Sequence, residues 1–281
     1  MAGISMKAVK NRIKSVENTM QITHAMELVS TSKLRKAKER ATVTKPVHEI
    51  LSETIDALRN DRTAAQSKFF GIRESEKSCY IVIGGDRGLA GGYNTNLFRA
   101  VREDIGNDTV AILPIGKKSL EHYKQSGKEI ISSAYGLTSD IKTSDCFAVG
   151  KLICDAYTAD RFGRIKLAYT KFDSILTQVP VIEQILPFAE KKSEEYSKEL
   201  TIYEPSADEL LEAVTVQYIS ALLYCAVCES IAAEHAARRN SMSSANKNGE
   251  KMLEDMRLQY NRARQSVITQ EITEIVAGAE S

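Results

Sequence analysis

The chain has 281 residues, of which 43% are hydrophobic, 6% aromatic and 27% charged, with a formal net charge of +1. This composition supports a hydrophobic core and excludes wholesale disorder, whereas the nearly balanced charge identifies no partner. The five cysteines suit a reducing compartment rather than a disulfide framework. Because the first residues lack the apolar block of a signal peptide and no uninterrupted apolar stretch is long enough to span a membrane, we expect a cytoplasmic protein.

The first predicted element is a long helix from residue 4 to about residue 58. This segment contains no Gly and a single Pro, Pro46, which we expect to kink or interrupt the helix. Polar residues near Thr23, Glu27 and Ser30 interrupt its apolar face. The apolar residues recur at spacings of three and four, the period of a helix: Val9, Ile13, Val16, Met20, Met26, Val29, Val47, Leu51 and Ile55.

The same helix is strongly basic. Residues 1–45 contain ten Lys and Arg against three Glu, and the densest block is Lys33–Arg40. A basic helix can be a solvated face, can meet an acidic protein partner, or can bind nucleic acid. Aromatic residues are missing here and no nucleic-acid recognition module is visible, and both observations argue against nucleic-acid binding. A basic coiled-coil nucleic-acid-binding protein is kept as the alternative hypothesis.

Residues 76–190 change period. Short apolar, β-branched runs predict five strands, and the segments 93–105, 117–126 and 144–162 predict helices between them. This alternation predicts a mostly parallel sheet covered by helices, in a compact Rossmann-like α/β domain. The polar stretch Glu190–Lys198 is interpreted as a linker leaving that domain. The predicted strands are CYIVIGG, TVAILPIG, EIISSAYG, IKLAYTKF and QVPVIEQILP.

A glycine-rich loop, Gly84–Gly92, follows the first predicted strand and precedes a helix. Its spacing fits neither G-x-G-x-x-G nor the Walker pattern. We interpret its glycines as a tight turn and a partner surface, although a nucleotide-dependent α/β enzyme stays open as a further hypothesis.

The last predicted element is a helix from about Ser206 to Ala277. Pro205 and Ser206 form a start signal, Asp208 and Glu209 suit its first turn, and Gly278 is a stop signal. Some seventy helical residues would reach on the order of 100 Å, too far for burial in one compact domain. One face keeps a three–four repeat: Leu211, Val214, Tyr218, Ala221, Cys225, Cys228, Ala232, His235, Arg239, Met242, Asn246, Gly249, Leu253, Met256, Tyr260, Ala263 and Val267.

Such a repeat predicts a coiled coil, and the other long helix is the partner at hand. Because the two helices lie at opposite ends of the chain, we expect them to pair antiparallel. The predicted organisation is therefore a coiled-coil helix at 1–60, a Rossmann-like α/β domain at 76–190 and a coiled-coil helix at 206–281.

No credible catalytic set, metal site or cofactor site is visible in the sequence. Cys225 and Cys228 form C-x-x-C, but both occupy the apolar face of one helix and no second metal-binding pair accompanies them. The four histidines are scattered and form no metal-binding motif.

The C-terminal run Ile268–Ser281 has the pattern I-T-x-E-x-x-[DE]-x-x-x-G-A and resembles the signature of the gamma subunits of F-type ATP synthases. Asn18–Val29, with the basic block after it, is similar to the opening helix of that family. Gly85–Asn94 is similar to its central loop. The resemblance spans the chain in the right order.

The resemblance implies a bacterial-type rotor shaft without a catalytic site of its own. One copy would turn inside a hexamer of alternating alpha and beta subunits, and the α/β domain, with the epsilon subunit, would sit on the c-ring. The complex would lie on the cytoplasmic face of the bacterial inner membrane, and proton or sodium flow would drive ATP synthesis.

The resemblance also implies roles for single residues. Those expected to touch the beta subunits or the collar of the hexamer are Met26, Lys33, Arg35, Lys36, Arg264, Gln265, Ile268, Gln270, Thr273 and Ile275. Those expected in a foot near the c-ring and the epsilon subunit are Tyr203, Glu204, Asp86 and Arg87.

Overall fold

The computed structural model describes residues 6–61, 64–71, 75–135, 138–189, 203–204 and 206–279. The predicted linker Glu190–Lys198 and Pro205 lie outside these ranges. The chain divides into two compact units, one formed by residues 1–31 and 238–281 and the other by residues 32–237. The elements are α1 (Met6–Arg59), β1 (Ser78–Ile83), α2 (Tyr93–Ile105), β2 (Val110–Ile115), α3 (Lys117–Lys124), β3 (Glu129–Ile130), α4 (Thr143–Thr158), β4 (Arg164–Phe172), β5 (Gln178–Leu186) and α5 (Ala207–Ala279).

A five-stranded sheet with the order β3-β2-β1-β4-β5 organises the second unit. The pairs β1–β2, β1–β4 and β2–β3 are parallel, whereas β4 and β5 are antiparallel. Five residues join β4 to β5, too few for the crossover that a parallel pair needs, so the two strands form a hairpin. The predicted strands and helices are confirmed, although β3 is only two residues long.

Both faces of the sheet are covered, and every residue of β1 and β2 is buried, as a parallel sheet requires. On one face Ile81, Leu113 and Leu167 share a core with α4 and with the first turns of α5, from Ala207 onward. On the other face the strands pack against the apolar side of α2, around Leu97. The beginning of α5 is therefore packed into the core on one face of the sheet.

The two long helices run antiparallel in each unit. In the first unit Arg257 Nη2 donates to Glu17 Oε1 at 3.3 Å, and Asn246 Nδ2 donates to Glu27 Oε2 at 2.9 Å. In the second, the rings of His48 and Tyr218 lie 5.1 Å apart. Partner numbers fall along α5 as they rise along α1, which confirms the predicted antiparallel pairing.

The inward face of α1 follows a strict three–four repeat. The prediction was wrong for Val29 and Val47, which are exposed, because the polar Ser30 and His48 occupy the inward positions beside them. The polar interruption predicted at Thr23, Glu27 and Ser30 is confirmed. The buried or half-buried positions on this repeat are 6, 9, 13, 16, 20, 23, 27 and 30 in the first unit, and 34, 37, 41, 44, 48, 51, 55 and 58 in the second. Half-buried residues beside the repeat are Glu17, Met26, Ser52, Thr54, Asp56 and Arg59.

The ends and the continuity of the long helices differ slightly from expectation. Helix α1 continues through Pro46 without a break. Helix α5 begins where predicted, since the Glu209 amide donates to Ser206 Oγ at 3.3 Å. Gly278, predicted to lie just beyond α5, is inside it, because the helix ends at Ala279.

One 18-residue window in α5 is apolar enough for a membrane span, and half of that window is buried, as in a core helix.

Candidate partner-binding surfaces

The basic block of α1 is held outward by its own apolar residues. Leu34 and Ala37 are buried against Ala232 and Ala236 of α5. Since side chains three and four residues apart share one helix face, this seam turns the intervening cations to solvent. The exposed cations are Lys33, Arg35, Lys36, Lys38 and Arg40. Arg35 makes one long ion pair, 3.8 Å to Glu39, of little energetic weight in water. The block therefore forms a positively charged surface.

The last turns of α5 expose their apolar residues. From Arg264 to Val276 all side chains are exposed, including Ile275 at 71%. Polar groups here bond locally: Gln270 Nε2 donates to Glu274 Oε1 at 3.0 Å and Thr273 Oγ1 donates to the Thr269 carbonyl at 2.8 Å. A contiguous exposed apolar surface marks an interaction site. The predicted residues Arg264, Gln265, Ile268, Gln270, Thr273 and Ile275 all lie on this segment.

Met26 lies at the edge of the helix seam in the first unit. Its side chain is half-buried, and its carbonyl accepts a bond of 2.7 Å from Ser30 Oγ. Part of the Met26 side chain therefore stays exposed to solvent.

The glycine-rich loop is braced from within by carboxylates. Asp86 accepts bonds from the amides of Thr138 at 2.7 Å and Ser139 at 2.9 Å. The amide of Asp86 itself donates to Glu234 at 3.4 Å. A phosphate-binding loop needs free amides pointing at its ligand, and here the amides of Gly85 and Asp86 are already bonded, to Asn94 Oδ1 and to Glu234. The geometry supports the interpretation of a tight turn.

Close packing explains Gly85 of this turn and Gly116 of the neighbouring turn after β2. A Cβ on Gly85 would lie 2.9 Å from the carboxyl carbon of Glu234, and one on Gly116 would lie 2.2 Å from the Gly84 carbonyl oxygen. Gly116 also has a φ of +92°, which favours glycine. The loop can therefore lie directly on α5 and on the turn after β2.

The tip of the loop, formed by the residues just after Asp86, is exposed to solvent. Arg87 and Leu89 are exposed, Leu89 at 63%, and Leu89 adopts a φ of +62°. A leucine with positive φ is a costly conformation that surrounding structure must enforce. The loop thus presents a cation and a large apolar side chain in a fixed position.

The structure separates the residues of the predicted foot. Tyr203 packs against the core of the sheet domain, and Glu204 is exposed just before α5. Asp86 contacts α5 through Glu234, which lies 27 residues after the helix start. At 1.5 Å per residue this is about 40 Å along α5. Tyr203 and Glu204 therefore form one surface, and Asp86 and Arg87 belong to another.

The tip of the β4–β5 hairpin was not predicted as an exposed apolar feature. Ile175 and Leu176 are exposed between the two strands. Two aliphatic residues inside a turn were the available signal, because turns normally carry small or polar residues. The packing of Phe172, at the end of β4, against α1 and the glycine-rich loop could be learned only from the fold.

The cysteines pack as small apolar residues. Cys228 is buried and Cys225 half-buried, and burial raises the pKa of the Cys228 thiol to about 11. Within the described ranges, no group of three or more His, Cys, Asp or Glu could hold a metal ion.

Comparison with known proteins agrees with this arrangement. The model of the ATP synthase family matches residues 5–281. The chain therefore belongs to the ATP synthase family. Within it, the chain is 38% identical to the ATP synthase gamma chains of Alkaliphilus metalliredigens and Lachnoclostridium phytofermentans, with 99% of each protein covered.

Solved structures share the fold. The chain matches one in the mitochondrial ATP synthase of Euglena gracilis, solved with OSCP, F1 and the c-ring, at a TM-score of 0.66 and 17% identity over 98% of this chain and 94% of the other. A chain from the central stalk and c-ring of the Tetrahymena thermophila enzyme matches at 0.61 and 18%, over 80% and 99%. The comparisons give no support to the nucleic-acid alternative.

Proposed function

We propose that the chain is the central rotor shaft of an F-type ATP synthase, coupling ion flow through a membrane c-ring to ATP synthesis and hydrolysis at an alpha–beta hexamer. The observation that carries this proposal is the near-complete match to bacterial gamma chains, together with an antiparallel helix pair whose C-terminal turns are exposed and apolar.

The proposed mechanism is differential contact. Because the exposed cations of α1 lie opposite the face that packs on α5, the shaft presents a different surface to each of three identical beta subunits. A ligand shifts a conformational equilibrium only by its difference in affinity for the two states. Each beta subunit is therefore biased toward a different state, and rotation passes these biases around the ring.

The exposed residues take separate roles in this proposal. Lys33, Arg35 and Lys36 attract an acidic segment of a beta subunit, and Met26 contributes an apolar contact. Tyr203 and Glu204 lie in the foot near the c-ring and the epsilon subunit. Asp86 braces its loop from within, and Arg87 belongs to the surface around that loop. The collar contacts come from Arg264, Gln265, Ile268, Gln270, Thr273 and Ile275.

The catalytic chemistry belongs to the partner subunits in this proposal, and the chain requires no cofactor of its own. Its partners are the alpha and beta subunits, the epsilon subunit and the c-ring, with one copy per complex and no nucleic acid. It reaches the cytoplasmic face of a bacterial inner membrane only through those partners, and the coupling ion is a proton or sodium.

Affinity purification of the tagged full-length chain from membranes, followed by mass spectrometry, tests the proposal. We expect alpha, beta, epsilon and c subunits in the eluate. A matched control carries Ile268, Ile272 and Ile275 changed to Asp, and should recover less of the hexamer while folding normally. Absence of alpha and beta subunits from the unaltered chain would contradict the proposal.

A second assay addresses the alternative hypotheses. The purified chain should neither hydrolyse ATP nor bind DNA with an affinity that falls steeply as salt rises. ATP hydrolysis would favour the enzyme hypothesis, and salt-sensitive DNA binding would favour the nucleic-acid hypothesis.

A further inference from the structure

The α/β domain contacts α5 at two levels along the helix. Nearer the start of α5, the α4 helix lies so close that a Cβ on Gly150 would come within 2.7 Å of Ser220 Oγ. Farther along, Ala90 of the glycine-rich loop and Tyr93, the first residue of α2, share a buried cluster with Ala233 of α5. Ser220 and Ala233 are 13 residues apart, which corresponds to about 20 Å of helix.

Two buried side chains make polar contacts at the second level. Tyr93 Oη donates to the Ser230 carbonyl of α5 at 3.1 Å, and Glu234 Oε2 of α5 accepts a bond from the Asp86 amide at 3.4 Å. Tyr93 and Glu234 are each only 5% exposed. A Cβ on Gly85 would lie 2.9 Å from the Glu234 carboxyl carbon, so the loop rests directly on that carboxyl group. These contacts hold the loop and α5 in one relative position.

The loop side of this contact is anchored to the sheet domain. The Asp86 carboxyl group accepts bonds from the amides of Thr138 and Ser139. The Gly85 amide donates to Asn94 Oδ1 of α2 at 2.8 Å. Since the loop also follows β1 directly in the chain, a load applied to the loop passes into the sheet.

Small side chains on α5 make this fit specific to one rotation of the helix. Ala232 and Ala236 pack against α1, and Ala233 packs against the loop. Successive residues point about 100° apart around a helix. Turning α5 by one residue would therefore bring the larger Ile231 and His235 into spaces that fit Ala232 and Ala236, and close-packed interiors resist such a change.

We propose that Tyr93 and Glu234 are positioning residues that lock α5 against rotation within the α/β domain and so carry torque between that domain and the helix. This inference rests on the proposed function, in which torque enters through the α/β domain and is resisted at the hexamer. The covalent chain enters α5 only at Ala207. A second contact, about 20 Å beyond the first, divides the load and stiffens the connection.

Single-molecule rotation of the assembled complex tests the proposal. The hexamer is fixed to a surface, and a bead is attached to the α/β domain through Phe147→Cys, at an exposed residue of α4. Four of the five native cysteines are buried and Cys225 is half-buried, so the new thiol is the accessible one. Tyr93→Phe with Glu234→Ala removes both polar contacts. We expect the angular fluctuations of the bead during each pause to widen, because the connection between the domain and α5 is softer.

The matched control is Tyr80→Phe with Asp104→Ala. Tyr80 Oη donates to Asp104 Oδ2 at 2.6 Å, and Tyr80 belongs to the core on the face of the sheet opposite α5. This double variant also removes one tyrosine hydroxyl and one carboxyl group, and the bead should fluctuate as in the parent. Equal fluctuations for the two double variants would overturn the proposal.

Amide hydrogen exchange of the purified chain decides the question even where a variant assembles poorly. Tyr93→Phe with Glu234→Ala should speed exchange of the Asp86 amide by roughly two- to tenfold, the weight of one hydrogen bond, whereas the control pair should not. Unchanged exchange at Asp86 would overturn the proposal. Failure of the unaltered chain to co-purify with alpha and beta subunits would instead reject the proposed function itself.

Discussion

Met20 of α1 and Gly249 of α5 pack so closely in the first unit that a Cβ on Gly249 would lie 2.7 Å from Met20 Cγ. Glycine weakens a helix by about 1 kcal/mol relative to alanine. Gly249 therefore lowers the stability of α5 at this position but allows the close contact with α1. The polar layer beside it, where Asn246 bonds both Thr23 and Glu27, lies at the same level of the helix pair. Together these residues define which positions of α1 and α5 face each other.

The first prediction concerns this contact. Gly249→Ala should destabilise the chain, because overpacking costs about 1–3 kcal/mol and outweighs the gain in helix propensity. In a Met20→Ala background the same change should stabilise it by about 1 kcal/mol. A double-mutant cycle in urea unfolding measures the coupling, and strictly additive effects would show that the two residues do not contact.

The second prediction concerns the basic block. Changing Lys33, Arg35 and Lys36 together to Glu should impair coupled ATP-driven ion pumping of the reconstituted complex, since the surface would repel an acidic partner. The fold should persist, because all three side chains are exposed. The control reverses three exposed cations elsewhere: Arg99, Lys124 and Lys151. Equal pumping by the two triple variants would refute the electrostatic role.

The third prediction concerns Leu89 and its positive φ. Asparagine tolerates this backbone region better than leucine, so Leu89→Asn should stabilise the isolated chain by about 0.5–1 kcal/mol. Leu176→Asn, at an exposed residue whose φ is not positive, should change stability little. Chemical denaturation measures the difference in stability, and a destabilised Leu89→Asn chain would argue against strain at this position.

The fourth prediction concerns two carboxylates between β5 and α5. Glu183 Oε1 and Glu229 Oε2 are shielded from solvent and lack a hydrogen-bond partner within the described residues. Burial raises the pKa of Glu183, the charge of Glu229 raises it further, and Lys171 opposes both effects. Burial also raises the pKa of Glu229, against the attraction of Lys171 and Lys45.

A raised pKa means that the folded chain holds these protons more tightly than the unfolded chain does. The resulting stability is complete below the unfolded pKa, near 4.5, and is lost as the pH rises through the folded pKa. Glu183→Gln should therefore melt at a higher temperature than the parent at pH 8 and at a similar temperature at pH 4. The exposed Glu76→Gln is the control, and a pH-independent difference for Glu183→Gln would contradict the assignment.

Local periodicity explains why so much of the fold could be predicted. Alternating three–four spacing identified both long helices, and short β-branched runs identified the strands, because these patterns reflect which side chains face a core. Periodicity alone placed Val29 and Val47 on the seam of α1. The structure places Ser30 and His48 there instead, since a helix face is chosen by its neighbour as well as by its own apolar residues.

By itself, the sequence determined the two terminal helices, the intervening α/β domain and the resemblance of Ile268–Ser281 to a rotor signature, because each depends on residues close together in the chain. Only the tertiary structure decided that Asp86 and Tyr203 lie about 40 Å apart along α5. It alone brought Lys38 of α1 and Ala90 of the glycine-rich loop together around Phe172. Such groupings depend on packing between segments far apart in sequence, which no local pattern records.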